Sequence, residues 1–178
     1  MHVNAKKMAF GGVLLAMTLL CMLLGSILET NTLFLLALAS YFVGIVIREF
    51  GMGTGGAFYV AGVLLGMFLA PNKFYVCSYA AMALYILVIE FVWLRIGKMK
   101  MRNPDRIAKL FWVIKFLAFN VIYLPMILGF GQFLFARKLS GWMLAAVILG
   151  GQLGLFLYDR AYEYVQVYLW GRLRKYLK

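Results

Sequence analysis

The stretch Arg95 to Lys109, RIGKMKMRNPDRIAK, decides how this chain is read. Six of its fifteen residues are Lys or Arg, and Asp105 is its only acid. Asn103 precedes Pro104, and the residue before a proline is pushed out of helical geometry. On either side the chain is apolar for about the ~20 residues that cross a bilayer. A dense basic loop between two such spans stays on the cytoplasmic side. Fixing this loop fixes the side of every other one.

Composition leads to the same class. Of 178 residues, 65% are hydrophobic and 13% charged. That is too much apolar surface for the core of a soluble chain of this length. The reading is an all-α integral membrane protein: one six-helix transmembrane domain over residues 1–178, solvated by the lipid bilayer. The net charge of +12 flanks the apolar spans, so it marks topology and implies no nucleic-acid partner. Cys21 and Cys77 lie within or beside spans and show no CxxC spacing, and His2 is the only histidine. No metal and no cofactor are expected from such a set.

The expected spans are about 8–28, 33–48, 53–70, 74–94, 110–135 and 141–158, followed by a tail over 159–178. Lys6 and Lys7 lead into the first run, which is long for a signal peptide and lacks a small-residue cleavage site. Of the 18 basic residues, only Lys73, Arg137 and Lys138 fall on the outer side. Both termini are therefore expected in the cytoplasm, in a cell membrane such as the bacterial inner membrane. The inner turn Gly51 to Gly56 lacks the Lys-Ser/Thr pair of a phosphate-binding loop and reads as a tight helix connection. Pro125 falls near the middle of the fifth span, where a kink is expected. The tail alternates Tyr162, Tyr164, Tyr168 and Trp170 with Arg160, Arg172 and Arg174. Aromatics with cations suit the headgroup layer, so an interfacial helix is expected there.

Catalytic chemistry finds no foothold: there is no HExxH, no GxSxG and no clustered carboxylate pair, so no enzyme is expected. Ionisable residues inside spans are costly and usually paired. Glu90 and Lys115 each lie about 9 Å inside the inner boundary at 1.5 Å per residue, which predicts a buried ion pair between them. Asn120 and Gln152 fall near mid-membrane and are placed to hydrogen-bond across helices. The outer ends of the spans gather Glu29, Asn31, Asn72, Lys73, Tyr75, Gln132, Arg137, Lys138 and Trp142. This cationic, aromatic face could attract an anionic or amphipathic small molecule; it reads equally as solvated loop ends.

Gly12 and Ala16 share a helix face that admits either a close partner helix or the protein's own helices. With the small-residue segment Gly12-Val13-Leu14-Leu15-Ala16, the Gly-rich inner turn and the six short-looped spans, the chain resembles the substrate-binding S component of energy-coupling factor (ECF) transporters. The resemblance covers nearly the whole chain in size, topology and texture. It implies a non-catalytic capture subunit that takes up a small organic, vitamin-like ligand from outside. The segment Glu29 to Thr32 would act as the gate. It further implies a transmembrane coupling subunit and an ATPase pair as partners, with Gly12 and Ala16 at the coupling face. The alternative is a small membrane scaffold without a transport role. The acidic, glycine-rich third span of rod-shape morphogenesis membrane proteins is missing, since Gly62 to Ala70 contains no Asp.

Overall fold

The computed structural model describes residues 5–97, 104–134, 141–172 and 174. Its regular structure is helical throughout the described residues: α1 (Ala5–Ile27), α2 (Thr32–Phe50), α3 (Met52–Leu69), α4 (Lys73–Ile96), α5 (Pro104–Leu134) and α6 (Gly141–Tyr164). A 3-10 turn (Glu29–Asn31) links α1 to α2, and a π-helical turn (Val165–Trp170) prolongs α6. Among the described residues, six helices are long and apolar enough to cross a membrane. The chain thus has the build of an all-α, multi-pass membrane protein.

The helices gather into two compact units, Met1–Leu94 and Arg95–Lys178. In the first, α2 is the centre. Tyr41 to Ile47 are buried without a break, as expected of a helix that is apolar all round. The buried stripe of α1 is Leu14, Thr18, Cys21, Met22 and Gly25, which recurs at helical spacing. The Thr18 hydroxyl, inside that stripe, donates to the Leu14 carbonyl at 2.9 Å. That bond satisfies a polar group which lipid could not.

α3 approaches its neighbours through glycine. A Cβ on Gly55 would fall 2.1 Å from Cγ1 of Ile47, on Gly62 2.7 Å from the Tyr79 hydroxyl, and on Gly66 2.9 Å from Sδ of Met22. The chain reverses between α2 and α3 at Gly51, whose φ of 90° favours a residue without a Cβ. α4 contributes Val76, Tyr79, Ala83, Ile86 and Glu90, a stripe at alternating three- and four-residue steps.

In the second unit α5 and α6 form an antiparallel hairpin. Trp112 stacks on Phe156 with ring centroids 6.2 Å apart. Gly151 admits Tyr123, whose ring would lie 2.4 Å from an added Cβ.

Two boundaries differ from expectation. α5 begins at Pro104 rather than near 110. Proline suits the first helical position, where its missing N–H is no loss, and Asp105 complements the helix dipole in the first turn. α6 does not stop at 158; helix runs on to Trp170, continuing the last span into the tail. α5 also stays helical through Pro125.

Candidate functional site

The charged residues inside the helices find partners within their own units. Glu90, almost fully buried on α4, accepts from Arg48 of α2, with Nε at 2.9 Å and Nη2 at 2.5 Å from the same carboxylate oxygen. Arg48 occupies the last turn of α2, where a cation complements the helix dipole and its long side chain can reach sideways.

Lys115 of α5, 3% exposed, donates to Asp159 of α6 at 2.8 Å and to Glu163 at 3.0 Å. Asp159 is fully enclosed. The ammonium also lies 4.6 Å from the Phe111 ring centroid and 5.3 Å from that of Trp112. Within its own unit, each residue of the expected Glu90–Lys115 pair thus has a partner on another helix: Arg48 for Glu90, Asp159 and Glu163 for Lys115.

Asn120 and Gln152 do meet. Nε2 of Gln152 donates to Oδ1 of Asn120 at 2.9 Å, and Nδ2 of Asn120 donates to the Phe116 carbonyl at 2.8 Å. The Tyr123 hydroxyl donates to the Val147 carbonyl at 2.8 Å. These bonds and the Lys115 cluster make one polar seam along the hairpin, with its donors and acceptors turned on each other. A seam so satisfied holds two helices in register. The sequence carried a signal for Asp159. Counting back along α5 from Asn120 to Lys115 and forward along α6 from Gln152 brings Lys115 level with Leu157, within a turn of Asp159.

At the α1–α2 and α3–α4 links, the structure gives several of the expected binding residues work within the fold. Oδ1 of Asn72 accepts the Phe74 N–H at 3.0 Å, capping the start of α4. Nζ of Lys73 donates to the carbonyls of Met67 and Ala70, the latter at 2.8 Å, closing the C-terminal end of α3. The Thr32 hydroxyl is buried and donates to the Gly25 carbonyl at 2.8 Å, tying the start of α2 to the end of α1. Glu29 and Asn31 lie in the 3-10 turn between those helices. Tyr75 is half-buried in the first turn of α4. Within the first unit these residues share one end of the helices. In the second unit, Gln132 lies in the last turn of α5 and Trp142, 72% exposed, opens α6. Arg137 and Lys138 lie outside the described residues.

The first helix supplies the remaining feature. Gly12 and Ala16 are exposed, and an added Cβ on Gly12 would meet nothing within 4 Å. At 3.6 residues per turn they sit about 160° and 200° around the helix from Leu14, diametrically opposite the buried stripe. Ala5 and Ala9 are exposed on the same side. The N-terminal end of α1 is held independently: Phe10 packs edge-on against Phe50 at 5.7 Å, and Lys7 lies over the same ring at 5.9 Å.

No group of His, Cys, Asp and Glu able to hold a metal ion occurs among the described residues. Comparison of the chain with known protein families, with curated proteins and with solved structures found no match.

Proposed function

We propose that the chain is the membrane-embedded substrate-capture subunit of an ECF-type uptake transporter for a small organic micronutrient, with both termini in the cytoplasm. The observation that carries this reading is the open lane of small residues on α1. Gly12 and Ala16 point away from every helix that α1 packs against in its own unit, so the face is free for a coupling subunit. In lipid, helices associate through close backbone approach rather than hydrophobic burial, and small residues permit that approach. The polar seam of the second unit is self-satisfied. That argues against a self-powered carrier, which needs ionisable groups along a path across the membrane.

Capture falls to residues at the outer ends of the spans: Tyr75 offers aromatic surface in the first unit, and Trp142, with the sequence neighbours Arg137 and Lys138 to attract an anionic group, does so in the second. Asn72 and Lys73 are reassigned to shaping the α3–α4 turn, since their polar atoms cap the two helix ends.

The test is co-purification with a coupling subunit and its ATPase pair, followed by mass spectrometry of small molecules retained in mild detergent. Gly12→Leu and Ala16→Leu should abolish the complex while leaving the melting temperature and ligand retention of the isolated chain unchanged. Association with wall-synthesis proteins instead, with no retained small molecule, would establish the scaffold reading. Orientation is tested separately. A cysteine at Asn72 should react with an impermeant thiol reagent from outside, and one at Asn103 should not.

A further inference from the structure

We propose that the end of α6, from Arg160 through the π-helical turn to Arg172, is a binding site for the headgroups of anionic phospholipids; the inference is independent of any transport role. It starts from length. The apolar helix Gly141–Trp170 has 30 residues, about 45 Å at 1.5 Å per residue, against a hydrocarbon core of about 30 Å. Trp142 is exposed at the start of this helix; taken as one interface anchor, it puts the opposite boundary ~20 residues on, near Arg160. Everything beyond lies at headgroup depth.

The side chains there suit that depth. Tyr164, Val167 and Tyr168 are exposed on one side, while Tyr162, Gln166 and Trp170 are buried on the other, so packing sets which face looks outward. The rings of Tyr164 and Tyr168 stack at 5.1 Å. Together with Arg160, Glu163 and Val167 they line an open groove of about 290 Å³. The acid in this groove does not make it anionic. One oxygen of Glu163 accepts from Lys115 at 3.0 Å and the other lies 3.7 Å from Arg160; with Asp159 also on Lys115, the two cations balance the two acids and the cluster is neutral. The Arg160 side chain remains 62% exposed, and Arg172 is exposed one helical turn beyond Tyr168 in sequence. Guanidinium groups recognise phosphate oxygens through paired N–H donors, and tyrosines straddle the acyl and headgroup layers. The groove's Val167 and Tyr168 lie in the π-helical turn, and such turns recur at functional sites.

The experiment uses the full chain in nanodiscs of phosphatidylcholine mixed with phosphatidylglycerol, with retained lipids counted by native mass spectrometry. Wild type should retain phosphatidylglycerol in preference to phosphatidylcholine. Arg160→Gln with Arg172→Gln should lower that preference by about fivefold per arginine, with an unchanged helical spectrum. Arg106→Gln, which removes the same charge from the exposed start of α5, should leave the preference intact. A photo-crosslinking residue at Val167 should give phospholipid adducts. Equal retention of both lipids by wild type overturns the proposal. So does an equal loss in the Arg106→Gln control, or adducts at Val167 with protein alone.

Discussion

Gly12 with Ala16 on α1, and Gly62 with Gly66 on α3, show the same four-residue spacing and are used in opposite ways. The α3 pair is closed: Tyr79 and Met22 fill the space where side chains would stand. The α1 pair is open, facing away from its own unit. The ion pairs divide along the same line. Lys115 and Asp159 are sealed, whereas Arg48 reaches Glu90 from a side chain 37% exposed. A small residue or a charge inside a span thus has two meanings. Turned inward it is a condition of folding; turned outward it is available to something else.

The sharpest way to break this contrast is through the charges. Lys115→Met removes the counter-charge from the enclosed Asp159 and should destabilise by about 3–5 kcal/mol, read as a shift in detergent unfolding. Adding Asp159→Leu should recover much of that loss, since a packed apolar pair of similar size replaces a buried ionic one at little net cost. If the double variant is as unstable as Lys115→Met alone, the two residues are not the coupled pair.

Next come the glycines. Gly62→Leu drives a side chain into the Tyr79 ring and should cost about 1–3 kcal/mol or more, while Gly12→Leu should stay within about 0.5 kcal/mol. Equal thermal shifts for the two would erase the distinction between closed and open faces.

Arg48→Met should fall between, at about 1–2 kcal/mol. It removes charge-assisted hydrogen bonds to Glu90, but from a donor that water or headgroups already reach. A loss as large as that of Lys115→Met would show that the Arg48 end is sealed too. The smallest effect is expected at Asn120 and Gln152, half-buried in the middle of the seam. Their coupling in a double-mutant cycle to Leu should be about 0.6 kcal/mol, as for other hydrogen bonds between membrane helices.

Much of the fold was legible in advance. Apolarity, length and turn residues are local properties, and the six spans followed from them to within a few residues at most ends. The Asn120–Gln152 contact was legible as well, because two amides at equal depth on helices joined by one short link have few other partners. The charges were not. That Arg48 reaches Glu90 and Asp159 reaches Lys115 depends on how each helix is turned toward its neighbour, which position along the chain does not give. Nor was the work of Asn72 and Lys73 visible: exposed polar residues at a turn look like a binding surface until their hydrogen bonds to the ends of α3 and α4 are seen.

By itself the sequence determined that the chain is a set of six membrane-length helices and which residues share a helix face, since both follow from hydropathy and the 3.6-residue period. Only the tertiary structure decided what covers each face. That choice depends on the rotation of each helix against its neighbours, and one-dimensional spacing leaves rotation unspecified. The closed glycines of α3, the open lane of α1, the pairing of Lys115 with Asp159 and the outward tyrosines at the end of α6 all come from that rotation.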